Sequence, residues 1–312
     1  MRFLKNIMNK PIKLITHDGV FHCDDIFSAA TLQIYLDKKG EIYEMTRTRD
    51  EQIIKNGDFV FDVGGIHDEK NNRFDHHQVG GAGRRVPSES EGKTTIEYAS
   101  FGLVWKKFGL EICGDQRVVD LIDKKLVAPV DAGDNGFDLI ENKYDVSPYL
   151  IQHAFGAMRP TWREEELTED EMFLKSVEIA KEILAREIIQ ASDGVLAEDL
   201  VVSAYKSAQD KRIIVLDKNY LFEYTLNNFT EPLFVVRPRK VDGTWGAKAV
   251  REDPKTFKNR KNFPKTWAGL RDDELQNITG VRDAVFCHRG LFLAVAKSKE
   301  GAIKLAELAL IG

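Results

Sequence analysis

Residues 12–40 read IKLITHDGVFHCDDIFSAATLQIYLDKKG, and the fold turns on how they are read. IKLITH (12–17) is a short run rich in β-formers and GVFHCDD (19–25) reads as a loop. IFSAATLQIYLDKK (26–39) carries apolar residues that suit a buried helix, stopped by Gly40. That is a strand, a loop and a helix in succession. EIYEMTR (41–47), DFVFDV (58–63) and RFDHH (73–77) read as further strands, so strands alternate with helices as in an α/β domain with a largely parallel sheet flanked by helices. Ligands of such sheets bind beyond the carboxyl ends of the strands. His17, Asp62 and the run Asp75-His76-His77 all fall at those ends. The doublet is telling, because neighbours on an extended segment point to opposite faces, so His76 and His77 can serve different partners.

Further along, QVGGAGRRVPSESEGK (78–93) reads as a mobile loop; no GxxxxGK[ST] follows it, so it is not taken as a phosphate cradle. Residues 96–108 and 115–127 read as helices, APVDAGDNG (128–136) as a strand end or turn, and VSPYLIQHAFGAM (146–158) as the opening of another helical stretch. LTEDEMFLKSVEIAKEILAREIIQ (167–190) has a capping box, Thr168 to Glu171, and helical apolar spacing at Met172, Phe173, Val177, Ala180, Ile183 and Leu184, as expected of a bridging helix. Beyond it, LVVSAY (200–205), RIIVLD (212–217), PLFVVRP (232–238), AVFCH (284–288) and LFLAVAK (291–297) read as strands, closed by a helix over SKEGAIKLAELAL (298–310). The expected organisation is a metal-binding domain over 1–190 and a smaller α/β domain over 191–312.

Composition narrows the function classes. The 312 residues are 43% hydrophobic, ample for a buried core, and the net charge of −5 excludes a long-range pull toward nucleic acid or an anionic membrane by the molecule as a whole. Cys23, Cys113 and Cys287 are odd in number and lack CxxC spacing, which points to buried thiols in a reducing compartment. MRFLKNIMNK (1–10) lacks the apolar run of a signal peptide, and no segment approaches the roughly 18 uninterrupted apolar residues of a membrane span. A cytoplasmic protein without a membrane partner is expected.

The chemistry collects at strand ends: His17, His22 and Asp24 in THDGVFHCDD, Asp62 in VFDVGG, Asp75, His76 and His77 in FDHH, and Asp131 in PVDAGDNG. Hard oxygens with imidazoles and no thiolates favour Mn²⁺, Mg²⁺, Co²⁺ or Fe²⁺ over structural Zn²⁺, and the donors suffice for two ions bridged by one carboxylate. Two such ions activate a water and stabilise both the attacking and leaving oxygens of a phosphoryl displacement. His67 and His153 are read as ordinary loop histidines, and Asp18, Asp25 and Asp134 as caps or supports behind the ligands, because adjacent acids cannot all reach one ion.

The order THDGVFHCDD, DVGG, RFDHHQ, DAGDNG resembles the DHH phosphoesterase superfamily, and within it the Myg (melanocyte proliferating gene) family of metal-dependent hydrolases. FGLVWKKFG, VVRP, FKNRKNFPKTWAGLRDDEL and GVRDAVFCHRGLF resemble later blocks of that family, so the likeness covers most of the chain. The resemblance implies a DHH-type N-terminal domain with two divalent ions, Mn²⁺ foremost. It implies one ion on His17, His22 and Asp62, and a second on Asp24, Asp62, His76 and Asp131. It further implies that His77 faces the substrate, with Asp75 orienting an imidazole. His22 stands where most DHH proteins carry Asp, and the glycine-rich segment after DHHQ departs from the pattern.

Between Arg237 and Lys265 ten Lys or Arg stand against three acids, interleaved with Trp245, Phe257 and Phe263. Basic side chains track phosphates while aromatics stack on bases, a recipe for single-stranded nucleic acid. Arg237, Arg260, Lys261, His288 and Arg289 are the candidate substrate contacts. The expected function is a two-metal phosphodiesterase, an exonuclease by family resemblance, acting on single-stranded RNA or short oligonucleotides. The rivals are a pyrophosphatase or cyclic-dinucleotide hydrolase and a catalytically silent metal-binding regulator. A homo-oligomer is left open.

Overall fold

A computed structural model describes residues 10–86 and 95–312. The chain divides into two compact units, Met1–Ser192 and Asp193–Gly312. Residues 1–9 lie outside the described residues, as does 87–94, on which much of the expected mobile loop falls.

The first unit begins with β1 (Ile12–Thr16), α1 (Cys23–Lys39), β2 (Tyr43–Arg47), α2 (Glu51–Lys55), β3 (Phe59–Phe61), β4 (His67–Asp68) and β5 (Arg73–Phe74). The sheet order is β2-β1-β3-β5-β4. β1 runs parallel to β2 and β3, and β3 parallel to β5, while only β4 is antiparallel to its neighbour. This is the largely parallel α/β sheet that the sequence predicts. α1 starts one loop after β1 and ends where Gly40 turns left-handed at φ 70°, with Asp24 and Asp25 in its first turn and Lys38 and Lys39 in its last, matching the helix dipole. Phe27 of α1 stacks on Phe101 of α3 (Ser100–Cys113), with centroids 5.1 Å apart.

After α3 come α4 (Gln116–Ile122), one π turn over Asp123–Val127, and α5 (Ala128–Asp134), followed by α6 (Ile151–Gly156) and α7 (Glu169–Ser207). Two local expectations are corrected here. Residues 128–134 are helical rather than a strand end: the helical path from α4 continues through the π turn, and Pro129, which offers no N–H, falls at the junction of that turn with α5. LVVSAY belongs to α7, with Val201 fully buried and Ala204 and Tyr205 packed on the same cluster, the i, i+3, i+4 spacing of a helix face. The capping box at Thr168 forms as expected, Thr168 N–H donating to Glu171 and Glu171 N–H to Thr168 Oγ1.

The second unit carries β6 (Ile213–Val215), α8 (Glu223–Asn227), β7 (Phe234–Pro238), β8 (Trp245–Ala249), α9 (Asp272–Thr279), β9 (Ala284–Cys287), β10 (Leu293–Ala296) and α10 (Lys299–Ile311). Its order is β6-β7-β8-β10-β9, with β6 parallel to β7 and the rest antiparallel, so it is a smaller α/β unit of mixed sheet. Phe234, Val236, Ala247, Phe263 and Trp267 pack with Ala302, Leu305 and Ala309 of α10. Phe263 is therefore core, not a surface base platform.

Candidate metal centre

The loop between β1 and α1 is clamped from two sides. Arg47, buried at the end of β2, donates to Gly19 O at 2.5 Å and pairs with Asp170 at 2.6 Å, and Arg159 donates through Nε to Phe21 O at 2.8 Å. The loop is thus fixed, and with it His17, His22 and the first turn of α1. On the opposite strand, Asp62 follows β3 at φ 53°, a left-handed conformation that aspartate tolerates better than most side chains, and its N–H donates to Phe74 O at 3.2 Å.

This brings imidazoles and carboxylates together. His17 Nε2 lies 3.2 Å from Asp25 Oδ2 and 3.3 Å from Asp62 Oδ2. His76 Nε2 lies 3.4 Å from Asp62 Oδ1, 3.1 Å from Asp134 Oδ2 and 4.0 Å from Asp24 Oδ2. Three sets offer ligand atoms within 4.8 Å of one another: His17, His22 and Asp62; Asp62, His76 and His77; and Asp24, His76 and Asp134. Asp62 and His76 each serve two sets. Asp62 Oδ1 and His76 Nε2, which face one another, and Asp25 Oδ2, which faces His17, are buried without a properly aligned hydrogen-bond partner. Buried polar atoms rarely go unanswered, and a hard cation would answer Asp62 and His76. The donor set therefore fits divalent metal.

Protonation tells the same story. Burial opposes charge on His17 and His76, but the neighbouring carboxylates outweigh it, Asp25 and Asp62 raising His17 to about 10, Asp134 and Asp62 raising His76 to about 11. Asp62 is buried too, yet the two imidazoles hold its carboxyl well below the ordinary range. Asp24 moves the other way, raised by burial and by the like charges of Asp62, Asp134 and Asp131. Protons on the two imidazoles balance the carboxylates of this cluster.

The doublet does not split to opposite faces as the sequence reading expects: residues 75–77 lie beyond the end of β5, the two rings are 4.2 Å apart and both face Asp62, and they differ only in exposure, the His76 side chain being 8% exposed and that of His77 62%. Asp75 holds His77, its Oδ1 lying 2.7 Å from His77 Nδ1, and is itself fixed by Gly65 N–H at 2.5 Å. A cavity of about 560 Å³ lies over these groups, lined by His17, His22, Asp62, His77 and Asp134 and by one cation, Arg49.

Asp131 is not in any of the three sets among the described residues. Its Oδ1 accepts Gly102 N–H at 3.0 Å and its Oδ2 pairs with Arg85 at 2.7 Å. Asp134, one helical turn on, stands beside His76 instead. Asp24 has a second duty, since Ala99 offers α3 no side-chain cap and Asp24 accepts the N–H groups of Ser100 at 3.0 Å and Phe101 at 2.7 Å. Asp25 also lies closer to the cluster than a cap requires, and the partners Arg47 and Arg159 carry no motif that would mark them in the sequence.

In the second unit, Arg260 donates to the carbonyls of Phe229 at 2.6 Å and Pro232 at 3.2 Å, and Arg237 lies half-buried over the Phe222 ring at 5.5 Å. His288 Nδ1 accepts Gly290 N–H at 3.0 Å, Lys261 is half-buried and Arg289 is exposed.

Comparison with known proteins places the chain in a family. The MYG1 exonuclease family model, described as "Uncharacterised protein family (UPF0160)", matches residues 13–310, and the chain belongs to that family. A human protein named MYG1 exonuclease is 27% identical over 96% of this chain and 86% of its own, and a MYG1 protein of Chlamydia pneumoniae is 28% identical over 97% and 98%. Among solved structures, an exopolyphosphatase-related protein from Bacteroides fragilis aligns over 96% of this chain and 92% of its own at 13% identity, with a TM-score of 0.25, too low to carry any statement about shared geometry. No described helix is long and apolar enough to cross a membrane.

Proposed function

We propose that the protein is a metal-dependent phosphodiesterase that shortens RNA or other single-stranded oligonucleotides as an exonuclease, with the metal-ligand arrangement of the DHH superfamily. The observation that carries this reading is Asp62. One of its oxygens faces His17 and the other faces His76 and His77, as expected of a carboxylate shared by two ions. His17, His22 and Asp62 would hold one divalent ion, and Asp24, Asp62, His76 and Asp134 the second, with Mn²⁺ first among Mg²⁺, Co²⁺ and Fe²⁺. When bound, such a pair supplies Lewis acidity and an activated water for in-line displacement at phosphorus.

The chain's own groups do the rest. Asp75 fixes His77 through Nδ1, leaving Nε2 of an exposed, cavity-lining imidazole as the proton donor to the leaving oxygen. The hydrogen bond to Asp75 raises the His77 pKa against the effect of burial, which favours the protonated form that a donor needs. The names of the relatives support an exonuclease. Arg237, Arg260, Lys261, His288 and Arg289 stay as candidate substrate contacts of the second unit. The cavity's size also suits a pyrophosphate or cyclic dinucleotide, the second reading.

The test is hydrolysis of end-labelled single-stranded RNA with Mn²⁺ and with chelator, comparing the intact chain with Asp62→Asn. Stepwise, metal-dependent shortening that disappears in Asp62→Asn is the expected result. No cleavage by folded, metal-loaded protein would overturn the nuclease reading in favour of small phosphorylated substrates.

A further inference from the structure

A second cavity, of about 770 Å³, opens beside the first, and nothing in the chemistry above uses it. The two share Arg49, Val63 and Gly64 in their walls, so they adjoin. Gly64 sits at φ 97°, and a Cβ there would meet Ile54 Cγ2 at 3.2 Å, so a side chain would crowd the wall that joins them. Ile54, Val63 and Ile66 give the second cavity an apolar lining, and Ile66 is left 57% exposed. Three cations line it against one acid, Glu51: Arg49, Lys55 and Arg73.

The three cations are not equivalent. Arg73 is committed to the fold, donating to the carbonyls of Asn71 and Gly57, each at 2.9 Å. Lys55 is exposed at the end of α2. Arg49 reaches Asp18 at 3.3 Å, but both side chains are more than half exposed. Such an exposed pair is weak and exchanges readily for a phosphate, to which arginine offers a planar, bidentate fork. An apolar lining for a base, with cations spaced along it for phosphates, is the chemistry of a nucleotide subsite.

We infer that this second cavity receives the nucleotide adjoining the scissile phosphate, with Arg49 holding the phosphate at the metal centre and Lys55 the next phosphate along the strand. The inference rests on the phosphodiesterase reading and deepens it: the substrate is a chain of nucleotides, and the first unit by itself grips at least two consecutive phosphates.

The experiment measures Mn²⁺-supported kcat/KM on a dinucleotide, which has one phosphate, and on a labelled single-stranded RNA of about twelve residues, over a range of salt. Intact protein, Lys55→Gln and Arg49→Gln are compared. Lys39→Gln serves as the control, because Lys39 lies at the other end of the 17-residue helix α1, about 25 Å from His22. Lys55→Gln should lower the ratio of RNA to dinucleotide kcat/KM about 5-fold or more and flatten the log–log salt dependence of RNA by about 0.7, the value of one phosphate contact on a single strand. Arg49→Gln should depress both substrates, by about 10- to 100-fold, the span of a hydrogen bond between charged groups. Intact protein that cleaves both substrates, with Lys55→Gln matching Lys39→Gln in ratio and slope, overturns the subsite alone. Intact protein that cleaves neither overturns the phosphodiesterase reading and the subsite with it.

Discussion

The wall of the site that leans on α3 and the wall that faces the cavity are both made of aspartates, and they differ in what answers each oxygen. On the α3 side, Asp24 and Asp131 accept the first backbone N–H groups of the helix, and Asp131 also pairs with Arg85. On the cavity side, both oxygens of Asp62 face imidazoles, Oδ2 that of His17 and Oδ1 those of His76 and His77, while Asp25 behind it accepts the His22 N–H and turns its other oxygen to His17. Asp24 and Asp131 are bound into the scaffold; Asp62 is bound into the imidazole cluster. Asp24 belongs to both, which ties the start of α3 to the geometry of the centre. The general lesson is that an acid's neighbours, rather than its place in a motif, decide whether it is a cap or a ligand.

Substitutions can break this comparison at either wall. The largest effect is expected on the cavity side: Asp62→Asn should lower Mn²⁺-dependent hydrolysis by about 10³-fold or more, the several kcal/mol that metal ions contribute to phosphoryl transition states, with the circular dichroism spectrum of the metal-free protein unchanged. On the α3 side the loss should appear in stability. Asp131→Asn removes one charge-assisted contact of Arg85, which keeps its bidentate pair with Asp123, and should destabilise the fold by about 1.5 to 2 kcal/mol in urea unfolding, while metal stoichiometry stays that of the intact chain. Equal metal loss in both variants would erase the distinction between the walls.

A smaller, graded effect follows from pH. The folded-state values of His17 and His76, about 10 and about 11, lie above the unfolded value of 6.5. Their contribution to the stability of chelated protein is therefore fully present below about pH 6.5 and is lost as pH rises through 10 to 11. Metal binding must displace the same protons, so Mn²⁺ affinity should climb between pH 6.5 and 9, by up to about tenfold per pH unit for each proton released, as read by calorimetry. An affinity independent of pH would show that the imidazoles are not ligands. The smallest effect belongs to an ordinary cap far from any ligand role: Thr168→Ala should cost about 1 kcal/mol in thermal unfolding and leave metal affinity alone.

The contrast also explains what could be read from the sequence. That His17, Asp62, His76 and His77 come together was legible, because a parallel strand announces itself by β-rich runs and sets the residues at its carboxyl end beside those of its neighbours. The choice between Asp131 and Asp134 was not. Both lie on α5, where Pro129 and Gly133, with Gly136 just beyond, argue for a turn, and they are separated by one helical turn, so only packing assigns them. Gly102 lies so close that a Cβ there would overlap the Asp131 carboxylate, a long-range contact that no local pattern carries. Arg47, Arg85 and Arg159 were invisible for the same reason, since each reaches carbonyls or carboxylates 28 to 138 residues away. LVVSAY misled because its β-branched residues outweighed the helical spacing that tertiary packing selects.

The most direct test of the account is a metal titration of chelator-stripped protein with Mn²⁺, followed by electron paramagnetic resonance and calorimetry, for the intact chain and Asp62→Asn. The account expects two ions per intact chain, magnetically coupled through a shared carboxylate, and at most one weakly held ion in Asp62→Asn. An intact chain that binds no Mn²⁺, or an Asp62→Asn variant that binds two ions as tightly as the intact chain, would contradict it.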